Sequence, residues 1–233
     1  MPDAPRPCDT PPDLVGFHYP LAHLASSLKH QRKTRIVAIG SSSTAGEGDI
    51  VPYPHRLELA LRKRLPDGMI DVVNRGIGGQ EAPGEVSRFE SDVLAEAPAL
   101  VIWQVGTNAV YRKEEFILED VAASIASGLG RLAGLAMDVV LMDLQYTTAV
   151  VKPEKIAFAE QMVSLIATAA ENANVNVFRR FALMRRWCVD GGIPMAELID
   201  PTDPTELHMS DWATNCVTGA LCSAIEGALP ATA

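Results

Sequence analysis

Residues 35–46 read RIVAIGSSSTAG: a short β-branched apolar run, stopped at Gly40 and followed by a loop of small, hydroxyl-bearing residues. A continuous run of this kind, without polar alternation, suits a strand buried on both faces. With Arg35–Ile39 as the first, four further runs have the same character: Ile70–Asn74, Leu100–Val105, Val139–Leu144 and Val175–Phe178. Longer stretches between and after them predict helices over Pro54–Leu65, Glu85–Ala95, Leu118–Leu135, Pro153–Asn172 and Trp212–Ala228. Pro54 and Pro153 suit a first helical turn, and Val121, Ile125, Leu129 and Leu132 form one apolar stripe at 3–4 spacing. Alternating β and α segments build a parallel sheet covered by helices, so the expected fold class is α/β, with five parallel strands in a single domain.

The composition agrees with that reading. A chain of 233 residues, 48% hydrophobic and 21% charged, is long enough to bury roughly 70% of the surface its unfolded state exposes. The net charge of −9 repels phosphate backbones and argues against a nucleic-acid partner. Apolar runs such as Ala99–Val105 fall far short of the ~20 residues of a membrane span. From Met1 to Pro12 the chain carries five prolines where a secretory leader has a basic start and an apolar stretch of about 7–15 residues. The expectation is therefore a cytoplasmic protein, or a periplasmic or secreted one if a leader was removed. The four cysteines, Cys8, Cys188, Cys216 and Cys222, show neither C-x-x-C pairing nor histidines at zinc spacing, so no metal site is expected. They read as buried free thiols, with a bridge from Cys8 to the C-terminal region as the sharper alternative. Residues 1–33 are expected to form a Pro-rich arm with a short amphipathic segment around Leu21–Leu28, and residues 34–229 the domain.

In an open parallel sheet, ligands bind outside the carboxyl ends of the strands. After the first strand comes Gly40-Ser41-Ser42-Ser43-Thr44-Ala45-Gly46, which lacks the spacing and the lysine of a phosphate-binding P-loop but would let a serine hydroxyl stand clear of the backbone. The second strand is followed by Asn74-Arg75-Gly76-Ile77-Gly78-Gly79, whose glycines free the backbone for close approach by a ligand, and the third by Gly106-Thr107-Asn108, whose amide is a donor. Ahead of the last helix lies Asp203-Pro204-Thr205-Glu206-Leu207-His208, with a histidine suited to act as a base. Each segment alone is an ordinary turn; their order along an alternating β/α chain carries the weight.

That order resembles the SGNH hydrolases, the GDSL-type esterase superfamily, and in particular bacterial carbohydrate O-acetyl esterases. The resemblance implies a flavodoxin-like three-layer α/β/α sandwich. The first block of that family, Gly-Asp-Ser-x-x-x-Gly, matches Gly40–Gly46 with Ser42 at the nucleophile position and Ser41 in place of Asp. The second, Asn-x-Gly-x-x-Gly, matches Asn74, Gly76 and Gly79. The third, Gly-x-Asn, matches Gly106 and Asn108, with Ala109 where Asp commonly follows. The last, Asp-x-x-His, matches at His208 but has Thr205 at the carboxylate position. Asp203, Glu206, or a dyad without a carboxylate remain open there, with Asp203 favoured because Pro201 and Pro204 restrict the loop.

What the resemblance implies is a serine esterase using Ser42, His208 and Asp203, with an oxyanion hole from Ser42, Gly79 and Asn108 and no cofactor. Its expected substrate is a short-chain, acetyl ester on carbohydrate, flanked by Trp103, Gln104 and Tyr146 at the sheet edge. An O-acetyltransferase of the same fold and a catalytically silent carbohydrate-binding protein are the competing readings. A homo-oligomer is compatible with either.

Overall fold

The computed structural model describes residues 6–66 and 68–230. Five strands, β1 (Lys33–Gly40), β2 (Met69–Gly76), β3 (Leu100–Gln104), β4 (Asp138–Met142) and β5 (Asn176–Phe178), form one sheet in the order β2-β1-β3-β4-β5. Every pairing is parallel; Val37, for example, lies between Val73 and Val101. Side chains alternate across the sheet, and both faces are apolar. Ile36, Ala38, Leu100, Ile102, Val140 and Met142 share one core with Leu24, Leu57, Leu61, Trp187, Val217 and Leu221 from the helices Ala22–His30, Tyr53–Arg64, Arg180–Val189 and Asp211–Gly227. Val37, Ile39, Val101, Trp103 and Leu141 share the other with Phe89, Ile125, Leu129, Met162 and Ile166, mostly from Leu118–Leu132 and Ile156–Ala173. Two-sided burial explains why the strands read as unbroken apolar runs. The strand order reverses at β1, the switch point at which open sheets of this class leave a crevice.

Two of the expected helices change form. Glu85–Ala95 is not one helix: Ala82–Ser87, Phe89–Asp92 and a 3₁₀ turn at Leu94–Glu96 replace it. The break falls at Arg88, whose guanidinium turns inward and donates to the carbonyls of Arg75 (2.6 Å) and Gly40 (3.1 Å). It thereby bonds a carbonyl near the end of β2 and adds a second donor to the Gly40 carbonyl, which also accepts from Ile77 N–H (3.0 Å). Pro153 precedes the helix Ile156–Ala173 instead of opening it. The helix Arg180–Val189, absent from the expectation, follows β5 almost directly.

The N-terminal segment packs against its own chain. Leu21 and Leu24 are buried, Leu21 N–H donates to the Ala228 carbonyl (2.9 Å), and the indoles of Trp187 and Trp212 donate to the carbonyls of Asp9 (2.6 Å) and Arg6 (3.0 Å). Cys8 and Cys216 are disulfide-bonded, the bridge from Cys8 to the C-terminal region and not four free thiols; Cys188 and Cys222 are free. Among the described residues no helix is long and apolar enough to cross a membrane.

A bridge spanning 208 residues restricts the unfolded chain strongly. Cys8→Ser is expected to cost about 2–5 kcal/mol of stability under non-reducing conditions, measured by denaturant unfolding. Alkylation of the unfolded, unreduced protein should modify Cys188 and Cys222 only; labelling of Cys8 would contradict the pairing.

Candidate active site

Three strand ends and one C-terminal loop converge at the carboxyl edge of the sheet. At the end of β1 the chain turns into a single helical turn, Ser42–Ala45. One atom holds that turn: Gln104 Oε1, at the end of neighbouring β3, accepts from Ser41 N–H (3.0 Å), Ser41 Oγ (3.0 Å), Ser43 Oγ (3.1 Å) and Thr44 Oγ1 (3.2 Å). The second loop presses against the same turn. A Cβ on Gly76 would lie 2.1 Å from the Ala45 nitrogen, so only glycine fits there. Gly79 has φ +75°, and its missing side chain would meet nothing within 4 Å; the position combines a left-handed backbone with an open face.

Asn108 lies at the start of the short helix Thr107–Tyr111 after β3. Its Nδ2 donates to the Gln80 carbonyl at 2.8 Å, which leaves the second N–H of that amide for another acceptor. Across the mouth, the segment from Asp200 to His208 is closed by an antiparallel bridge between Ile199 and Met209 and by Asp200 N–H bonding the His208 carbonyl (3.0 Å). Gln145 Nε2 fastens the loop from below through the Leu207 carbonyl (2.7 Å).

His208 bridges Ser42 and Asp203, its Nε2 2.9 Å from Ser42 Oγ and its Nδ1 2.9 Å from Asp203 Oδ2. Asp203 also accepts from Thr205 N–H (2.9 Å), Thr205 Oγ1 (2.6 Å), Leu207 N–H (3.0 Å) and His208 N–H (2.8 Å). Partial burial opposes ionisation of Asp203, but donation from the Thr205 hydroxyl and the backbone N–H groups of His208, Thr205 and Leu207 outweighs it and holds the carboxyl well below the usual carboxylate range. Thr205 thus takes part as a donor to the carboxylate, and Glu206, at φ +56°, is exposed.

Two residues expected at the substrate lie elsewhere. Trp103 is fully buried; its ring packs edge-on to Phe89 (4.9 Å between centroids) and its Nε1 donates to Glu85 Oε2 at 2.7 Å. It belongs to the core. Gln104 is equally buried, and its carbonyl oxygen is consumed by the serine turn. Tyr146 is half-buried, edge-on to Phe181.

Sequence reasoning missed several buried polar groups behind the site. Arg180, fully buried, donates from Nε to the Asp143 carbonyl (3.1 Å) and from Nη1 to Ser43 Oγ (3.2 Å). Burial draws its pKa down to about 10, against the pull of Asp143 and Tyr53, so it remains a cation under the serine turn. Burial also pushes Asp143 up to about 7, although Phe181 N–H and Arg180 favour its charge. Glu81 and Glu85 are both raised by burial, Glu85 further by the charge of Glu81. Glu81 receives three backbone N–H bonds and Glu85 one indole bond, so Glu85 is the member pushed further up. Among the described residues no cluster of three His, Cys, Asp or Glu side chains is arranged to hold a metal ion.

Comparison with known proteins agrees with this architecture. The profile of the non-GDSL lipase-like family matches residues 7–230. Among solved structures, the acetylxylan esterase Axe2 from Geobacillus stearothermophilus superposes with a TM-score of 0.71 at 20% identity, covering 87% of this chain and 100% of that one. Related crystal structures are of catalytic mutants of that esterase in which a serine, a histidine or an aspartate is replaced by alanine. LAE5, an alpha/beta hydrolase enzyme from the metagenome of Lake Arreo, Spain, superposes equally well, with a TM-score of 0.71 at 18% identity over 87% of this chain and 100% of that one. At these identities the likeness establishes the fold. An uncharacterized lipoprotein of Bacillus subtilis, YqeF, is 36% identical over 75 residues, a match spanning 31% of each chain.

The depressed Asp203 carboxyl makes a stability prediction with a definite sign. Stability from its ionised form is fully present above the unfolded-state value, near pH 4, and is lost as pH falls below it. Asp203→Asn is therefore expected to be less stable than the parent at pH 7, with the gap closing below about pH 4, as read from urea unfolding across pH. A gap independent of pH would show that the charge of Asp203 does not stabilise the loop.

Proposed function

The chain belongs to the non-GDSL lipase-like family, and on that premise we propose that it is a serine esterase acting on short acyl esters, with acetyl groups on carbohydrate as its substrate. The observation that carries this reading is the continuous relay of 2.9 Å contacts from Asp203 through His208 to Ser42. Asp203, ionised, accepts Nδ1–H and so fixes the tautomer in which Nε2 is a base. His208 takes the Ser42 proton as Oγ attacks the ester carbonyl, and the oxyanion forms among Ser42 N–H, Gly79 N–H and the free Asn108 amide hydrogen. Each such donor contributes roughly 3–4 kcal/mol in the transition state. The alcohol leaves with the proton from His208, and water, activated by the same imidazole, releases the acyl group from Ser42.

The cleft beside Ser42 and His208 supports a short acyl group. Gly46, Ile50, Pro52, Met209 and Thr214 close it to about 30 Å³, room for about two water-sized groups. The similarity to a solved acetylxylan esterase supports carbohydrate as the alcohol component, and the Cys8–Cys216 bridge supports an oxidising compartment.

The test is hydrolysis of p-nitrophenyl acetate and butyrate, with product analysis in the presence of a sugar acceptor. The parent should prefer acetate and release free acid. Ser42→Ala and His208→Ala should each lose at least about 10³-fold in kcat, and Asp203→Asn about 10⁴-fold. Acetylated acceptor as the main product would identify a transferase, and a parent no faster than Ser42→Ala would contradict the esterase reading and leave sugar binding.

A further inference from the structure

Two of the three groups assigned above to the oxyanion sit on different loops, and their spacing depends on the hydrogen bonds that tie those loops together. Gly79 follows β2, and Asn108 follows β3. The side chain of the β2 loop that reaches across to the β3 loop is that of Glu81. Its Oε1 accepts from Gly106 N–H at 2.8 Å and from Ala82 N–H at 3.0 Å, and its Oε2 accepts from Ala109 N–H at 2.9 Å. The residues on either side of Asn108's own peptide region, Gly106 and Ala109, are thus fixed by one carboxylate that lies two positions from Gly79. The Asn108 amide returns the connection by donating to the Gln80 carbonyl, and Arg112, from the end of the same helical turn, donates to the Gly79 carbonyl.

A helix cap needs only the bond from Ala82 N–H. Glu81 begins the helix Ala82–Ser87 and caps it through Ala82, yet two of its three bonds reach across to the β3 loop. It is 4% exposed, and a carboxylate this deeply buried is costly unless its lone pairs are filled. Gly106 at φ +88° presents its N–H inward, toward that oxygen, instead of continuing the strand. An amide in place of the carboxylate would bring an NH₂ group against one of the backbone N–H donors and open the junction.

We propose that Glu81 is a positioning residue that sets the distance and angle between Gly79 N–H and the Asn108 amide, and so governs stabilisation of the oxyanion without touching substrate. The proposal rests on the esterase reading. Because the two donors act on charge that develops only in the transition state, a displacement of either lowers kcat and leaves KM nearly unchanged.

The experiment is steady-state hydrolysis of p-nitrophenyl acetate by the full chain, with Glu81→Gln, Glu81→Asp, Asn108→Ala and the double variant Glu81→Gln/Asn108→Ala. Glu81→Gln is expected to lower kcat about 10–100-fold with KM within about two-fold. Glu81→Asp keeps the charge and the cap but shortens the reach to Gly106 and Ala109, and should fall between parent and Gln variant even where the Gln variant folds poorly. In the Asn108→Ala background, Glu81→Gln should cost much less than in the parent, because the donor it positions is gone. Fully additive losses, or either Glu81 variant matching the parent in kcat, overturn the proposal while leaving the esterase reading intact. A parent without activity overturns both.

Discussion

Five hydrogen bonds to a single carboxylate organise the mouth of the crevice. Asp203 accepts from the backbone N–H groups of Thr205, Leu207 and His208, from the Thr205 hydroxyl and from the His208 ring. Leu207 anchors the loop in the apolar core, and this carboxylate organises its polar remainder. The same bonds that hold the backbone in place keep the carboxyl ionised, and its ionised form is what orients the imidazole. Structure and chemistry here depend on one charge.

The sheet supplies the opposite wall, and it does so by placing polar side chains where apolar ones would be expected. Gln104 terminates a fully buried strand and gathers the serine turn. Arg88 interrupts a helix to bond the carbonyls of Gly40 and Arg75 at the ends of β1 and β2. Glu81 joins the two loops that follow β2 and β3. Gln104 and Glu81 are buried and Arg88 is half-buried; the unpaired form of each would be costly, so each holds its loop firmly. The strand order reverses between β2 and β3, and these three residues line the place where three loops that are distant in sequence have to meet.

The sheet was legible in the sequence because both its faces are buried: the five apolar runs mark all five strands within a few residues. The same property concealed which strand-end residues face the crevice. Trp103 and Gln104 alternate across a sheet with no exposed face, and neither reaches solvent. The helix Arg180–Val189 was hidden because its buried stripe of Arg180, Leu183, Met184 and Trp187 begins with a cation and is interleaved with Arg185 and Arg186. At the site, the glycine, asparagine and histidine positions carry recognisable spacing because their backbones need it. The carboxylate partner of His208 breaks the spacing, since a turn around Pro204 lets Asp203 reach the ring from five residues away. Glu81 and Gln104 left no local pattern, because their partners lie 25–28 and 60–63 residues distant.

On the proposed reading Ser42, activated through His208 by Asp203, is a nucleophile. Labelling with a fluorophosphonate, followed by peptide mapping, tests it most directly, because the reagent records nucleophilicity without requiring the right substrate. One phosphonyl group per chain is expected, on Ser42, with labelling abolished in His208→Ala and strongly slowed in Asp203→Asn. An unlabelled Ser42, or equal labelling rates in the parent and both variants, would contradict it.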